Sequence, residues 1–443
     1  MVIYGKQEVY KIGVMIQAAA DETVRYREAV KITKGQLYCN RCGSHFSLRE
    51  VRLPAGSYYC PGCVLYGRLT DQDQLVSIHR KEEAEVLQTK PQIHCRWLGE
   101  LTRQQSRLAE ELIRCVDSRE NVLLWAVTGA GKTEMLYPLI ENALNEGKQI
   151  AIASPRIDVC RELYPRLVAA FPDVAILLRY GKALEQWQEF DLLVCTTHQL
   201  LHFYQAFDLL VVDESDAFPY EGDPLLAFGT TQALKPMGVR VCLTATPTKN
   251  LLQKAKSENW QVLHLPQRYH RRPLVVPELF FLEDWRNFAK YPLRLARVLR
   301  ICEQLLKENQ VLFFCPDIAF MKDITKVLQE KLPQKKITFV SAQDPLREEK
   351  ILQLRNKQWD ILLCTTILER GVTFERVSVV VMGAEHEVFN KSVLVQIAGR
   401  VDRKGTQRNG RVLFFFQEQT LAIRKAIKEI IQMNQLAKKE AKR

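Results

Sequence analysis

Residues 121–144 read NVLLWAVTGAGKTEMLYPLIENAL, and this stretch decides the class of the chain. Val122 to Val127 is a continuous apolar run, short enough for a strand and suited to burial on both faces. Thr128, Gly129, Ala130 and Gly131 follow. Their small side chains let backbone N–H groups close around phosphate oxygens, and a helix start at the same point adds its partial positive charge. Lys132 then reaches the β- and γ-phosphates, and the Thr133 hydroxyl holds Mg²⁺. A helix is expected over 133–144. The pattern usually opens on glycine, and Ala126 stands there instead. That departure leaves the phosphate donors intact, so ATP and Mg²⁺ are the expected ligands.

Outward from this loop, apolar runs alternate with helical segments. The expected strands are 121–127, 149–154, 191–197, 208–214 and 240–246, then 311–316, 336–341, 360–366, 377–383 and 410–416. Such alternation predicts two α/β domains built on parallel sheets. The stretch 264–278, HLPQRYHRRPLVVPE, carries three prolines and a basic cluster and reads as the joint between them. The tail KKEAKR reads as a charged helix end or a loose terminus.

Two further groups carry chemistry. Asp213-Glu214-Ser215-Asp216 ends the apolar strand DLLVV, 80 residues after Thr133. A carboxylate there suits Mg²⁺, and its neighbour suits the attacking water, which assigns Asp213 to the metal and Glu214 to the general base. Gln396-Ile-Ala-Gly-Arg400-Val-Asp-Arg403 places two arginines three apart, on one face if the segment is helical. Paired guanidinium groups suit γ-phosphate recognition and transition-state charge. A solvated basic face reads the same way in sequence, and the pattern alone does not separate the two.

Twelve cysteines include two C-x-x-C pairs, Cys39/Cys42 and Cys60/Cys63, with 17 residues between Cys42 and Cys60. That spacing matches a structural zinc site, in which four thiolates close a tetrahedron and leave no open position. His45 is close enough to compete, but four Cys suffice. The intervening 44–59 reads as a short hairpin. Cys95, Cys115, Cys160, Cys195, Cys242, Cys302, Cys315 and Cys364 are scattered and read as buried small hydrophobes. Tyr38, Phe46, Tyr58, Tyr59 and Tyr66 lie near Arg41, Arg49 and Arg52. They either stack nucleic-acid bases or form the only core so small a module can have.

Composition fits this organisation. The chain has 443 residues, 47% of them hydrophobic and 26% charged, which excludes collagen-like, disordered and mini-protein classes. No run approaches the roughly 20 apolar residues of a spanning helix. The amino end, MVIYGKQEVYKIG, has no apolar signal region, so a cytoplasmic location is expected. Sixty-three Lys and Arg against 51 Asp and Glu give +12, which points to a polyanionic partner, either nucleic acid or an anionic membrane surface.

In this order, the motifs resemble those of superfamily 2 helicases and translocases over about residues 98–430. Ala126–Thr133 resembles motif I, Ser154-Pro155-Arg156 motif Ia, Asp213–Asp216 motif II and Thr244-Ala245-Thr246 motif III. Thr196-Thr197-His198-Gln199 is similar to the later DNA-contacting motif of the first lobe. Thr365-Thr366 through Glu369-Arg370-Gly371-Val372 resembles motif V, and Gln396–Arg403 motif VI. Leu101-Thr102-Arg-Gln-Gln105 is similar to the upstream element that reads adenine, through Gln105. Thr373 departs from motif V, where Asp or Asn is usual. With the four-Cys module in front, the chain resembles the ComFA family of competence proteins from Gram-positive bacteria.

The resemblance implies a zinc module (39–63) within an amino-terminal domain (1–95), then RecA-like lobes at 96–270 and 271–443. It implies an ATPase stimulated by single-stranded DNA, peripheral on the inner face of the cell membrane, that drives uptake of transforming DNA. Arg400 and Arg403 become arginine fingers. Ser154, Arg156, Thr196, Thr197, Thr365 and Thr366 become DNA contacts, and Thr244, Thr246 and Gln396 couple the two sites. ComFC and DprA become the expected protein partners. The alternatives are a PriA-like replication-restart or repair helicase, an RNA helicase, and a non-catalytic DNA-binding adaptor with a vestigial nucleotide site.

Overall fold

Every apolar run expected to be a strand forms one. The computed structural model describes residues 2–81, 92–181, 187–369, 374–403 and 409–441. Residues 82–91, within the charged stretch HRKEEAEVLQTKPQ (79–92) that reads as a helix or linker, the motif V residues Arg370–Thr373, and the last two residues of the tail lie outside the described residues.

The amino-terminal part contains β1 (Glu8–Lys11), β2 (Glu22–Glu28), β3 (Val30–Thr33), β4 (Gln36–Cys39), β5 (His45–Ser47) and β6 (Asp73–Arg80). They pair antiparallel in two small sheets, ordered β1-β6-β2 and β3-β4-β5. The hairpin expected over 44–59 does not form as such. Its first half, β5, pairs back onto β4, and only a single bridge between Arg52 and Tyr58 closes the remainder.

The next region runs α1 (Arg103–Asp117), β7 (Val122–Ala126), α2 (Lys132–Met135), α3 (Tyr137–Asn145), β8 (Ile150–Ser154), α4 (Ile157–Ala170), β9 (Ile176–Arg179), β10 (Leu192–Thr196), β11 (Phe207–Val212), α5 (Pro224–Ala233), β12 (Leu234–Thr244), α6 (Lys249–Ser257) and β13 (Gln261–Leu265). Its sheet has the order β13-β7-β12-β11-β8-β10-β9, and β12, β11, β8, β10 and β9 pair in parallel. The central strands are buried along nearly their whole length, as continuous apolar runs require. The edge strands β9 and β13 were not expected. β13 reads QVLHL, with no continuous apolar run, while β9 lies in the apolar run 174–178, which the reading of strands passed over. The helix expected over 133–144 is broken into α2 and α3. Pro138 sits in the first turn of α3, where a missing N–H costs nothing, but it cannot continue a helix begun upstream.

The last region runs β14 (Glu278–Phe281), α7 (Pro292–Leu306), β15 (Gln310–Phe314), α8 (Ile318–Lys331), β16 (Ile337–Val340), α9 (Arg347–Arg355), β17 (Ile361–Cys364), β18 (Val377–Met382), α10 (Lys391–Ala398), β19 (Val412–Phe416) and α11 (Leu421–Glu440). Six strands form a wholly parallel sheet, β14-β19-β18-β15-β17-β16. Ser378 is a polar residue inside fully buried β18. Its Oγ accepts from Asn309 Nδ2 and from the Arg411 N–H, both at 3.2 Å, so its burial leaves no unmet acceptor. Lys438–Glu440 of the charged carboxyl-terminal segment form the end of α11, whose Ile423, Ala426, Ile430 and Met433 are buried.

The architecture is thus two RecA-like parallel-sheet domains in tandem, preceded by a small four-Cys domain. By packing, the chain divides into Met1–Leu124 with Lys132–Leu263, and Trp125–Gly131 with His264–Arg443. The first unit therefore holds the amino-terminal sheets as well as most of the first large sheet. Its parts share cores: Leu37, Val51 and Leu69 of the cysteine module pack in one cluster with Leu201 and Leu226. Gln7 adds a polar tie, its Nε2 donating to the carbonyls of Leu201 at 3.2 Å and Phe203 at 2.9 Å.

Candidate functional site

All five motifs of the first large sheet sit at carboxyl ends of its strands. The loop 126–133 leaves β7, Ser154 ends β8, Thr196 ends β10, Asp213 follows β11, and Thr244 ends β12. In open α/β sheets this is the edge where ligands bind. Sheet order puts β12 between β7 and β11, so the strands feeding motifs I, III and II are consecutive.

The phosphate loop has the backbone its glycines allow. Gly129 and Gly131 take φ of 78° and 72°, the left-handed region that disfavours a Cβ. Ala126 is buried at the strand end, a place that accommodates a methyl group in the position usually held by glycine. Beyond the loop, Lys132 Nζ lies 3.6 Å from Asp213 Oδ1. The Glu214 N–H donates to the same oxygen at 2.8 Å. Glu214 takes φ of 52°, a strained choice for a residue with a Cβ, as backbone at functional sites often is. The Asp213 N–H donates to the Ala153 carbonyl, which fixes the start of the turn to β8. Lys132, Asp213 and the Glu214 backbone thus meet at one place, and Thr133 lines a small cavity with Asp213, a setting suited to a magnesium nucleotide.

Asp216 was quoted in the sequence motif but given no role there. It is buried, and it accepts from Thr244 Oγ1 and Thr246 Oγ1 at 2.6 Å each. The Thr246 N–H in turn donates to Thr244 Oγ1. Both motif III threonines therefore answer to one motif II carboxylate. Its position three residues after Asp213 is the only signal the sequence offered.

The other expected residues are less uniform. Gln105 is buried and closes a capping box on α1, its Oε1 accepting from the Thr102 N–H while its own N–H donates to Thr102 Oγ1. Ser154, Thr196 and Thr197 are also buried, so they shape the loops at the sheet edge, while Arg156, Thr365 and Thr366 are partly exposed. The ring of His198, in the Thr196–Gln199 loop, stacks against Tyr66 of the cysteine module at 6.4 Å.

The two arginines of motif VI do not share a helix face. Helix α10 ends at Ala398 and is capped at Gly399, and Asp402 at φ of 53° turns the chain between Arg400 and Arg403. Arg400 is buried, and its Nε donates to the Glu369 carbonyl at 3.0 Å, joining motif VI to motif V. Arg403 is partly exposed. Gln396 is buried within α10.

The four cysteines of the amino-terminal module converge. Their Sγ atoms all lie within 4.8 Å of one another, with Cys39 to Cys63 at 3.6 Å and Cys42 to Cys60 at 3.5 Å. A disulfide needs about 2.05 Å, whereas sulfurs at the corners of a tetrahedron with 2.3 Å zinc bonds stand about 3.8 Å apart. The donor set and spacing fit a tetrahedral thiolate site. Arg41 is buried there rather than offered to bases. Its Nε donates to Cys63 Sγ at 3.3 Å and its Nη2 to the Cys63 carbonyl at 3.2 Å, which suits negative sulfur. His45 is exposed and packs on Tyr38. Phe46, Tyr58, Tyr59 and Tyr66 pack against the module's core cluster. Of the remaining cysteines, all are buried except Cys95, which is partly exposed.

Comparison with known proteins places these features. Residues 102–254 match the DEAD/DEAH box helicase family, and residues 294–405 match the helicase conserved C-terminal domain. The chain is 41% identical over 413 residues to competence protein ComFA of Streptococcus pneumoniae, covering 92% of this chain and 93% of that protein. It is 39% identical over 419 residues to competence protein ComFA of Bacillus subtilis, covering 93% and 88%. Among solved structures, S. cerevisiae Dbp5 bound to RNA and ADP BeF3 aligns with a TM-score of 0.56 at 17% identity, covering 76% of this chain and 88% of that one. No helix among the described residues is long and apolar enough to cross a membrane.

Proposed function

The chain belongs to the ComFA family of competence proteins, and from that premise we propose that it is an ATP-driven translocase on single-stranded DNA that powers uptake of transforming DNA. The single observation that carries the reading is the cluster at the sheet edge. There Lys132, Asp213 and Glu214 meet beside the phosphate loop, and Asp216 links motif II to the motif III threonines.

In this reading Lys132 and the loop N–H groups hold the phosphates. Thr133 and Asp213 would hold Mg²⁺, which supplies neutralisation of phosphate charge. Glu214 orients and deprotonates the attacking water, and Arg403 answers the charge that builds on the γ-phosphate. Arg400, bound to the Glu369 carbonyl, keeps motifs V and VI in register. Hydrolysis changes what Asp213 and Glu214 contact, and the turn that holds them also holds Asp216. Asp216 passes the change to Thr244 and Thr246, and so to the neighbouring loops proposed to grip DNA. The four thiolates would hold Zn²⁺ in a structural role. The location we propose is the cytoplasmic face of the membrane, with ComFC and DprA as partners.

The test is ATP hydrolysis by the purified protein alone and with single-stranded DNA, duplex DNA or RNA. Strong stimulation by single-stranded DNA is expected. Stimulation by RNA in its place would move the protein to RNA work, and absence of hydrolysis under every condition would leave only a DNA-binding adaptor.

A further inference from the structure

The segment that reads in sequence as a basic joint contains Arg268, one of the largest fully buried side chains of the protein, at 1% exposure. Its two terminal nitrogens donate to backbone, while Nε is buried without a hydrogen-bond partner. Nη1 donates to the Val401 carbonyl at 2.8 Å and the Asp402 carbonyl at 3.0 Å, and Nη2 to the Gly399 carbonyl at 3.2 Å. These carbonyls lie just past the end of α10, where backbone acceptors lose their helical partners. They also belong to the turn that separates Arg400 from Arg403. Four residues on, Arg272 Nη1 reaches Asp402 Oδ1 at 3.3 Å and braces the same turn from its side chain. Between these two arginines, the Tyr269 N–H donates to the Gly129 carbonyl of the phosphate loop at 3.0 Å.

A guanidinium so deeply buried is costly unless its donors are used and a counter-charge is near. Burial pushes the Arg268 group down to about 10, and Asp402 opposes that shift, so it remains a cation at neutral pH. Neutral packing of the joint would need no such group. A short segment that grips both the phosphate loop and the motif VI turn instead sets where Arg403 stands relative to that loop.

We propose that Arg268 is a positioning residue for ATP hydrolysis, holding the 399–402 turn so that Arg403 keeps its place against Gly129 of the phosphate loop. The inference rests on the reading of Arg403 as the group that answers transition-state charge. Misplacing a catalytic group by about 1 Å costs on the order of 100-fold in rate. Arg268→Met keeps bulk and removes every donor. With saturating single-stranded DNA, its kcat should fall about 10- to 100-fold, with KM for ATP little changed and the unfolding temperature measured alongside.

The decisive readout is a double-mutant cycle with Arg403→Ala. If Arg268 acts through Arg403, adding Arg268→Met to Arg403→Ala costs no further rate, whereas independent roles multiply. Where Arg268→Met does not fold, Arg268→Lys carries the same cycle, since one ammonium cannot span three carbonyls. A folded Arg268 variant with wild-type kcat, or a multiplicative loss in the double variant, overturns the role while leaving the motor reading standing. Absence of hydrolysis by the wild-type protein overturns both.

Discussion

Thr246 Oγ1 donates to Asp216 Oδ2 at 2.6 Å, and the other oxygen of that carboxylate takes Thr244 Oγ1 at 2.6 Å. One buried carboxylate thereby holds the end of β12 to the turn that follows β11. That turn also carries Asp213 and Glu214, so one hydrogen-bond network joins the motif III threonines to the residues proposed to hold the nucleotide.

Asp216→Ala should therefore separate two properties. Basal ATP hydrolysis persists, because Lys132, Asp213 and Glu214 are untouched, while stimulation by single-stranded DNA is lost. Two buried hydroxyls lose their acceptor, at about 1–3 kcal/mol each. ATP turnover with and without DNA, alongside urea unfolding, checks both halves. A variant that unfolds more easily yet keeps full stimulation would assign the network to stability alone.

Lys132→Ala removes the cation from the phosphate loop. Hydrolysis should drop by about 100- to 1,000-fold, the scale for losing one preorganised charge-stabilising group. DNA affinity, measured by fluorescence anisotropy without nucleotide, should stay near wild type. A folded Lys132→Ala protein that no longer binds DNA would contradict this division of labour.

The cysteine module should carry one zinc, and its loss should be felt beyond the module. Cys39, Cys42, Cys60 and Cys63 share a core cluster with Leu201 and Leu226. Structural zinc is worth about 10–16 kcal/mol in small isolated modules, so Cys60→Ser should release metal and lower the unfolding temperature of the whole first unit. Atomic emission and calorimetry read the two effects. Purified protein with no zinc and unchanged unfolding on chelation would refute the assignment.

Stability should fall between pH 7.5 and pH 5, in part through His202. Burial, reinforced by Arg41, Lys6 and Arg179, pushes its imidazole down to about 4. An unfolded histidine titrates near 6.5, so below that pH the unfolded chain takes up a proton that the folded one refuses. The stabilisation is complete above about pH 6.5 and is lost as pH falls towards 4, amounting to about 2 kcal/mol by pH 5. Urea unfolding at both pH values should give a flatter dependence for His202→Gln than for wild type. Equal slopes would mean the ring is protonated in the fold.

The site was legible in the sequence wherever its chemistry is local. Loop 126–133, Asp213-Glu214 and the two C-x-x-C pairs each hold their donors within a few residues, so spacing alone reveals them. It was less legible where one side chain serves a distant backbone. Arg268 read as part of a basic joint because its partners lie more than 130 residues away. Arg41 read only as a basic neighbour of aromatics that either stack bases or form the module's core, because nothing local shows that it turns inward to Cys63. Arg400 and Arg403 read as one helix face because a glycine cap at Gly399 and a left-handed Asp402 are weak signals beside a helical spacing.

The sequence by itself determined the two parallel sheets, the nucleotide loop and the thiolate cluster, because continuous apolar runs and short-range donor spacing depend on only a few neighbouring residues. Tertiary structure alone decided the edge strand β13, the shared core of the cysteine module and the first large sheet, and the partners of Asp216 and Arg268. Those depend on which buried polar atoms meet when separate strands are brought to one edge. A buried donor or charge takes whatever acceptor the packing brings to it, however far away along the chain.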